Sequence, residues 1–294
     1  MPRRRRDRAA AVIMKALALA CVALAFSMAA ALLAKSWPVL STSGLRQLLL
    51  GSSWRPFQGQ FGFYPFLIGT LWVSGLAMAL SIPVCLLCAL YLSEYARSRV
   101  RAAAKPMLDL LAGIPSVVFG LWGMLAIVPL VRWLGDRMGV ATTGYSVLAG
   151  GIVLAIMVLP IIISVAEEVL RKVPLEAREA SLALGATRWQ TTKHVVVRVA
   201  LPGIIAAIIL GFTRAFGETM AVLMVVGNVA RLPRSLFDPA YPLPALIANN
   251  YGEMMSIPRY DAALMFAALV LLAVVLAFNI MATLVLRTVE RRLA

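Results

Sequence analysis

The sequence predicts an all-α integral membrane protein with about six transmembrane helices. Of its 294 residues, 62% are apolar and only 14% are charged, and its mean hydropathy is +0.89. This composition is typical of polytopic membrane proteins and excludes an ordinary soluble domain. The apolar residues also fall in six runs that are each long enough to cross a bilayer. The predicted spans are residues 11–34, 64–92, 107–131, 145–165, 202–227 and 262–286.

The basic residues indicate how these spans are oriented. The formal net charge is +15, but the 28 Lys and Arg residues concentrate in the short segments between apolar runs, which argues against a nucleic-acid partner. With both termini in the cytoplasm, nineteen of them lie on the cytoplasmic side, counting Lys15 near the start of the first run, and eight lie in external segments. The positive-inside rule therefore predicts cytoplasmic N- and C-termini. The remaining basic residue, Arg214, lies inside the fifth apolar run.

The first and third spans have distinctive features. Arg3–Arg6 precede the first run, as in a signal peptide, but the run exceeds the usual h-region of about 7–15 residues, so we expect a retained helix. Residues 35–63 are expected to form an ordered external segment. Pro115, between Gly113 and Gly120, predicts a kink within the third span.

The residue types most often used in catalysis, such as Cys and His, do not cluster in this sequence. Cys85 and Cys88 lie within an apolar run and are interpreted as packing residues. His194 has no acidic or cysteine cluster beside it, and the chain contains no GxxxxGK[ST] phosphate loop. We therefore expect no catalytic residue, metal or bound cofactor in this chain.

The polar segment between the fourth and fifth spans predicts two short helices. Pro174 suits a first helical position, and Glu176 adds an early carboxylate. Gly185 permits a sharp turn, after which residues 188–194 form a second polar helix. Such a helix–glycine–helix segment is suited to docking on a partner, and an ordinary amphipathic loop on the membrane surface is the alternative.

The same segment resembles the EAA loop of ABC importer permeases. Glu179, Ala180 and Gly185 match the motif, followed by Leu201–Pro202, with Ser181 in place of the second alanine and Leu-Pro four residues late. The resemblance implies a type-I ABC importer permease (MetI-like) core over residues 64–294, preceded by a unit at 1–63 with the basic N-terminus, first helix and external segment. It implies a coupling segment at 174–194 that docks on two ATPase subunits, which use the ATP. Its coupling residues are Glu176, Glu179, Ala180, Gly185 and Arg188.

The fifth apolar run contains a charged pair. Arg214 lies twelve residues after Pro202, so a continuous helix places it about 18 Å into the bilayer. A charge at that depth is costly and is expected to face a partner, a cavity or a substrate. Glu218, one helical turn on, is expected to neutralise Arg214 when no anion is bound. A structural ion pair between helices is the alternative interpretation.

Residues 211–228 (GFTRAFGETMAVLMVVGN) and 113–123 (GIPSVVFGLWG) resemble the phosphate-specific importer permeases of the PstC type. The resemblance implies a substrate path through Arg214, Gly217, Glu218 and Thr219. It also implies a second homologous permease subunit, an external phosphate-binding protein, and a multi-pass position in the lipid bilayer of a bacterial inner membrane. We expect Glu218 to accept a hydrogen bond from the proton that phosphate still carries near neutral pH.

Three other functions remain open at this point. The same architecture can import sulfate, molybdate or another oxyanion, because those permeases carry a similar Gly-Glu. A proton-coupled secondary transporter with Glu218 as its proton site predicts uptake that uncouplers abolish. A membrane-embedded enzyme is disfavoured by the scattered His, Cys and Asp residues.

Overall fold

The structure, a computed structural model, describes residues 2–252 and 257–293, and the side chains of these except 2–9, 258 and 290–293. The fold is almost entirely helical. The helices are α1 Pro2–Ser43, α2 Leu45–Leu50, α3 Tyr64–Leu90, α4 Ser98–Gly113, α5 Ser116–Trp122, α6 Val128–Arg137, α7 Val147–Arg171, α8 Leu175–Ala183, α9 Arg188–Thr191, α10 Val197–Gly217, α11 Met220–Leu223, α12 Leu243–Asn250 and α13 Pro258–Leu293.

Within the described residues, three π-helical turns join or extend these helices. Tyr91–Tyr95 extends α3, Gly123–Ile127 joins α5 to α6, and Thr192–Val196 joins α9 to α10. A short hairpin precedes α3, with β1 (Trp54–Arg55) antiparallel to β2 (Gln60–Phe61). The predicted external segment 35–63 is thus folded, because α1 continues to Ser43 and α2 and the hairpin follow it.

Six helical segments of the described residues are long and apolar enough to cross a membrane. They are Ala10–Ser43, Tyr64–Tyr95, Ser116–Arg137, Val147–Arg171, Arg188–Gly217 and Arg259–Val289. The prediction of about six transmembrane helices is therefore confirmed. The fourth span is longer than predicted, because residues 166–171 of the supposed polar segment continue α7.

The third span differs from the one that the sequence predicts. Residues 107–131 were expected to form one kinked helix, but the chain is extended at Ile114 and Pro115, which separates α4 from α5. Proline has no N–H to donate, and it forces the preceding residue out of the helical region. Residues 107–113 consequently belong to α4, which has no buried residue, and the span begins at Ser116.

The most buried span, α7, organises the bundle. It packs against both α3 and α10, which also contact each other. Gly151 of α7 faces Leu76 of α3, and Gly211 of α10 faces Ile162 of α7, so small residues let the backbones approach closely. Cys85 of α3 also contacts the Leu159 carbonyl of α7, and Gly203 of α10 faces Val169 of α7. Contacts therefore advance in the same direction along α3 and α7, which are parallel, and in opposite directions along α7 and α10, which are antiparallel.

The two ends of the bundle are different. At the end where α3 and α7 begin, the hairpin packs Trp54 edge-on against Phe66 of α3 and Tyr260 of α13, with centroids 4.8 and 6.0 Å apart. We call this the hairpin end. At the other end, where α3 and α7 terminate, α8 lies outside the spans and α9 begins the fifth one; we call it the α8 end. Helices α1 and α13 pack together along the outside of the bundle.

Candidate functional site

The fifth span is interrupted at the residues that carry the predicted charges. Helix α10 ends at Gly217, Glu218 is extended with φ −70° and ψ 128°, and α11 begins at Met220. The prediction of one helix over residues 202–227 is therefore wrong. Arg214 and Glu218 do not lie on successive turns of one helix.

Each charge is stabilised by its own helix end. Arg214 lies in the last turn of α10, where the helix dipole favours a cation. The Glu218 Oε1 atom accepts a hydrogen bond from the Ala221 backbone N–H at the start of α11, at 3.3 Å. Thr219 Oγ1 donates to the Gly217 carbonyl, also at 3.3 Å. Within the described residues no ion pair joins Arg214 to Glu218 within 4.0 Å, which corrects the expected mutual neutralisation.

One side of the helix break faces the interior of the bundle. Glu218 lines a small cavity together with Ser74 of α3 and Leu154 of α7. Leu154 is seven residues from the start of α7, or about 10 Å, and seventeen residues from its end, or about 26 Å. The Glu218 carboxylate therefore lies between the two ends of the spans, closer to the hairpin end.

One side of the break is left open by this chain. Arg214, Glu218 and Thr219 are half-buried, whereas Gly217 is exposed. A Cβ atom added at Gly217 would meet no heavy atom within 4 Å. A charged group beside an open face within a membrane bundle is suited to contact a partner chain or a polar substrate.

The predicted helix–glycine–helix segment is present at the α8 end. Helix α8 begins directly after Pro174, and Gly185 has a left-handed φ of +86° that reverses the chain. Thr187 and Gln190 form a capping box: Thr187 Oγ1 accepts from Gln190 N at 3.3 Å, and Gln190 Oε1 accepts from Thr187 N at 2.8 Å. The second helix is not separate, however, since α9 continues through the π-helical turn into α10.

The predicted coupling residues are all exposed to solvent. They are Glu176, Glu179, Ala180, Gly185 and Arg188. Large apolar side chains are exposed beside them, with Leu175 at 63%, Leu184 at 89% and Trp189 at 54% exposure. Exposed apolar side chains among charged ones are typical of a protein-binding surface.

Sequence reasoning missed the groups that hold this segment to the bundle. Arg178 of α8 forms an ion pair with Glu94, at 3.1 Å, and Arg188 Nη2 donates to the Glu94 carbonyl at 2.9 Å. Only 8% of the Glu94 side chain is exposed. The available signal was a single carboxylate at the end of the second span, followed by the basic residues of the next segment.

Comparison with known proteins fits this architecture. Residues 81–294 match the family described as binding-protein-dependent transport system inner membrane components. The chain belongs to this family. It is therefore a multi-pass membrane component of a transport system, and its relatives are permease subunits rather than enzymes.

Relatives within the family include phosphate permeases. The phosphate transport system permease proteins PstC of Xylella fastidiosa and Mesorhizobium japonicum are 35% and 31% identical over 256 and 293 residues. These alignments cover 82% and 95% of this chain, and 78% and 89% of those proteins. The probable ABC transporter permease protein YqgH of Bacillus subtilis is 39% identical over 209 residues, covering 70% of this chain and 66% of that protein. The expected similarity to PstC-type permeases is confirmed.

Solved structures show the same fold in this transport family. A chain of the MetNI methionine ABC transporter, in an inward-facing conformation, matches with a TM-score of 0.56 and 22% identity over 78% of this chain and 94% of that one. A chain of a bacterial ABC transporter for the polysaccharide alginate also has a TM-score of 0.56, with 18% identity over 81% and 86% of the two chains. The MetI-like permease fold is therefore confirmed.

Proposed function

We propose that this chain is the permease subunit of an ATP-driven importer that moves inorganic phosphate across the cytoplasmic membrane. The observation that carries the proposal is the helix break, which holds Arg214 and Glu218 within the bundle on a face that this chain leaves open. The PstC relatives support phosphate as the anion.

The chemistry of the break suits a phosphate that still carries a proton. Arg214 presents several N–H donors to an oxyanion. Glu218 accepts a hydrogen bond from that proton, whereas sulfate has none to offer and would be repelled by the carboxylate. The Thr219 hydroxyl adds a neutral polar group, and Gly217 leaves room for the anion to approach the backbone.

Two exposed surfaces of this chain support the proposed partners. A second homologous permease subunit covers the open face of the break, so that the two chains enclose the path. Two ATPase subunits dock on residues 174–194, where α8 exposes apolar and charged side chains. An external phosphate-binding protein delivers its ligand at the hairpin end. The N- and C-termini are cytoplasmic, ATP is hydrolysed by the partner subunits, and this chain contributes no catalytic residue, metal or cofactor of its own.

The test is ATP-dependent phosphate uptake by vesicles that carry this chain with its neighbouring transporter subunits. Radiolabelled inorganic phosphate is the substrate, excess sulfate or molybdate is the competitor, and Arg214→Ala is the variant. We expect uptake that resists both competitors and is lost in the variant. Uptake abolished by sulfate or molybdate would be consistent with the permease architecture but would overturn phosphate as the substrate. Phosphate uptake unaffected by Arg214→Ala would make that arginine a packing residue.

A further inference from the structure

The end of α3 is joined to the coupling helix by an ion pair that the sequence does not suggest. Arg178 of α8 places Nη1 3.1 Å from Glu94 Oε1 and 3.3 Å from Oε2, and its Nη2 donates to the Leu170 carbonyl at 2.8 Å. Ser93 Oγ donates to Glu94 Oε1 at 2.8 Å. One guanidinium thus connects α8 to the last turns of both α3 and α7.

Two further arginines contact the same π-helical turn, Tyr91–Tyr95. Arg101 of α4 donates from Nε and Nη2 to the carbonyls of Leu92 and Ser93 at 2.8 and 2.9 Å. Arg188 donates to the Glu94 carbonyl, and its guanidinium lies 5.4 Å from the centroid of the Tyr95 ring. Carbonyl groups at a helix end have no partner within the helix, so the guanidinium groups of Arg101 and Arg188 donate to these carbonyls from two different elements.

The Glu94–Arg178 pair is less exposed than the other ion pairs of the described residues at this end of the bundle, of which Arg101–Glu167, at 30% and 17%, comes nearest to it. The side chains of Glu94 and Arg178 are only 8% and 19% exposed, whereas those of Glu168 and Lys172 are 66% and 71% exposed. Removal of one partner from a buried pair leaves an uncompensated charge, which is far more disruptive than the loss of a surface pair. The contact between α8 and α3 therefore depends on both residues.

The two helices that Arg178 contacts also reach the helix break. Helix α3 continues without interruption from its π-helical turn back to Ser74, and α7 continues from Leu170 back to Leu154. Ser74 and Leu154 line the cavity that contains Glu218. A displacement of α8 that is transmitted to these two helices changes the walls of that cavity.

We propose that Glu94 and Arg178 are positioning residues that transmit movement of α8 to α3 and α7, and through them to the substrate path. The inference rests on the proposed function in one respect, since it takes α8 as the element that the ATPase subunits move. Neither residue touches the substrate. Their role is to make α8, α3 and α7 move together when the ATPases close.

The first experiment measures transport yield. The complete transporter is reconstituted in proteoliposomes with Glu94→Gln, Arg178→Gln or both, and radiolabelled inorganic phosphate imported per ATP hydrolysed is recorded. We expect each single variant to lower this ratio roughly tenfold, the effect of one lost charge-assisted hydrogen bond. The double variant should be no worse than either single one, because both changes remove the same contact. Glu168→Gln is the matched control and should keep the wild-type ratio.

A second measurement does not depend on the identity of the substrate. Hydrogen exchange of the complete transporter is recorded with and without a non-hydrolysable ATP analogue. In the wild type we expect the analogue to change exchange both in α8 and at residues 214–224. In Glu94→Gln we expect the change in α8 to remain and the change at 214–224 to disappear.

The outcomes separate the two proposals. Equal losses of ATP hydrolysis and phosphate import, additive effects of the two variants, or an unaltered exchange response at 214–224 would each overturn the positioning role. Failure of the wild-type complex to import phosphate would instead overturn the proposed substrate, and the exchange response would still decide the role of Glu94.

Discussion

Arg214 and Glu218 lie on opposite sides of a helix break, each stabilised by a different helix end. The last turn of α10 holds Arg214, and the Glu218 carboxylate accepts a hydrogen bond from Ala221 N–H of α11. Because the two side chains do not form an ion pair, an anion on the proposed path does not have to break one to reach Arg214. The interruption thus leaves two opposite charges four residues apart in sequence that are not paired with each other.

Glu218→Gln tests the role of the carboxylate. The amide keeps an oxygen that can accept from Ala221 N–H, so the start of α11 should persist, while the charge is removed. Loss of a hydrogen bond to a charged group is expected to lower phosphate uptake, or its selectivity over sulfate, by roughly tenfold to a hundredfold. Uptake with sulfate competition measures both, and Glu168→Gln is the control. Unchanged uptake and selectivity would leave Glu218 with a structural role alone.

Gly185→Ala tests the turn within the coupling segment. Gly185 has φ +86°, and a left-handed conformation costs a non-glycine residue about 1–2 kcal/mol. Co-purification of the ATPase subunits should fall, because the turn sets the direction of α8. Gly139→Ala is the matched control, since Gly139 has φ +71° and equal space around it but lies outside the segment. Equal effects of both variants on co-purification would show that only backbone strain is being measured.

Leu184→Ser tests the exposed apolar surface. The Leu184 side chain is 89% exposed, so the substitution should leave the free energy of unfolding of the chain within about 0.5 kcal/mol. Binding of the ATPase subunits should weaken by roughly tenfold if this side chain is buried in the docked complex. Phe57→Ser is the control, because Phe57 is 84% exposed near the hairpin. A binding titration in detergent compares the affinity of the ATPase subunits for the two variants. An unaltered affinity for Leu184→Ser would show that the docking surface does not include Leu184.

Thr70→Val tests a buried hydrogen bond between α3 and α12. Thr70 Oγ1 accepts from Leu243 N–H at 2.9 Å and donates to the Phe66 carbonyl at 2.7 Å, and the residue is 2% exposed. Valine leaves the Leu243 N–H without that acceptor, which costs about 1–3 kcal/mol. The thermal unfolding midpoint of the purified chain should therefore fall. Thr283→Val, at an exposed site with only a local bond to the Asn279 carbonyl, should leave it nearly unchanged.

Much of the fold could be predicted because its causes are local. The number of spans follows from composition alone, since an apolar run of about twenty residues needs no distant contact to be recognised. The helix–glycine–helix segment was predictable for the same reason, because Pro174 and Gly185 act on their own backbone. The break at Pro115 was underestimated as a kink, although the restriction that proline places on Ile114 is also local.

The tertiary structure decided what depends on distant partners. Residues 202–227 are apolar enough to continue as one helix, and the interruption after Gly217 is seen only in the folded chain, where Glu218 joins Ser74 and Leu154 around a cavity. The Glu94–Arg178 ion pair joins residues 84 positions apart. Sequence by itself determined the number of membrane spans, the charge distribution and the helix–glycine–helix segment, because each follows from neighbouring residues. Which charges meet across the bundle was decided by helix packing, since helix packing alone brings distant residues within hydrogen-bonding distance.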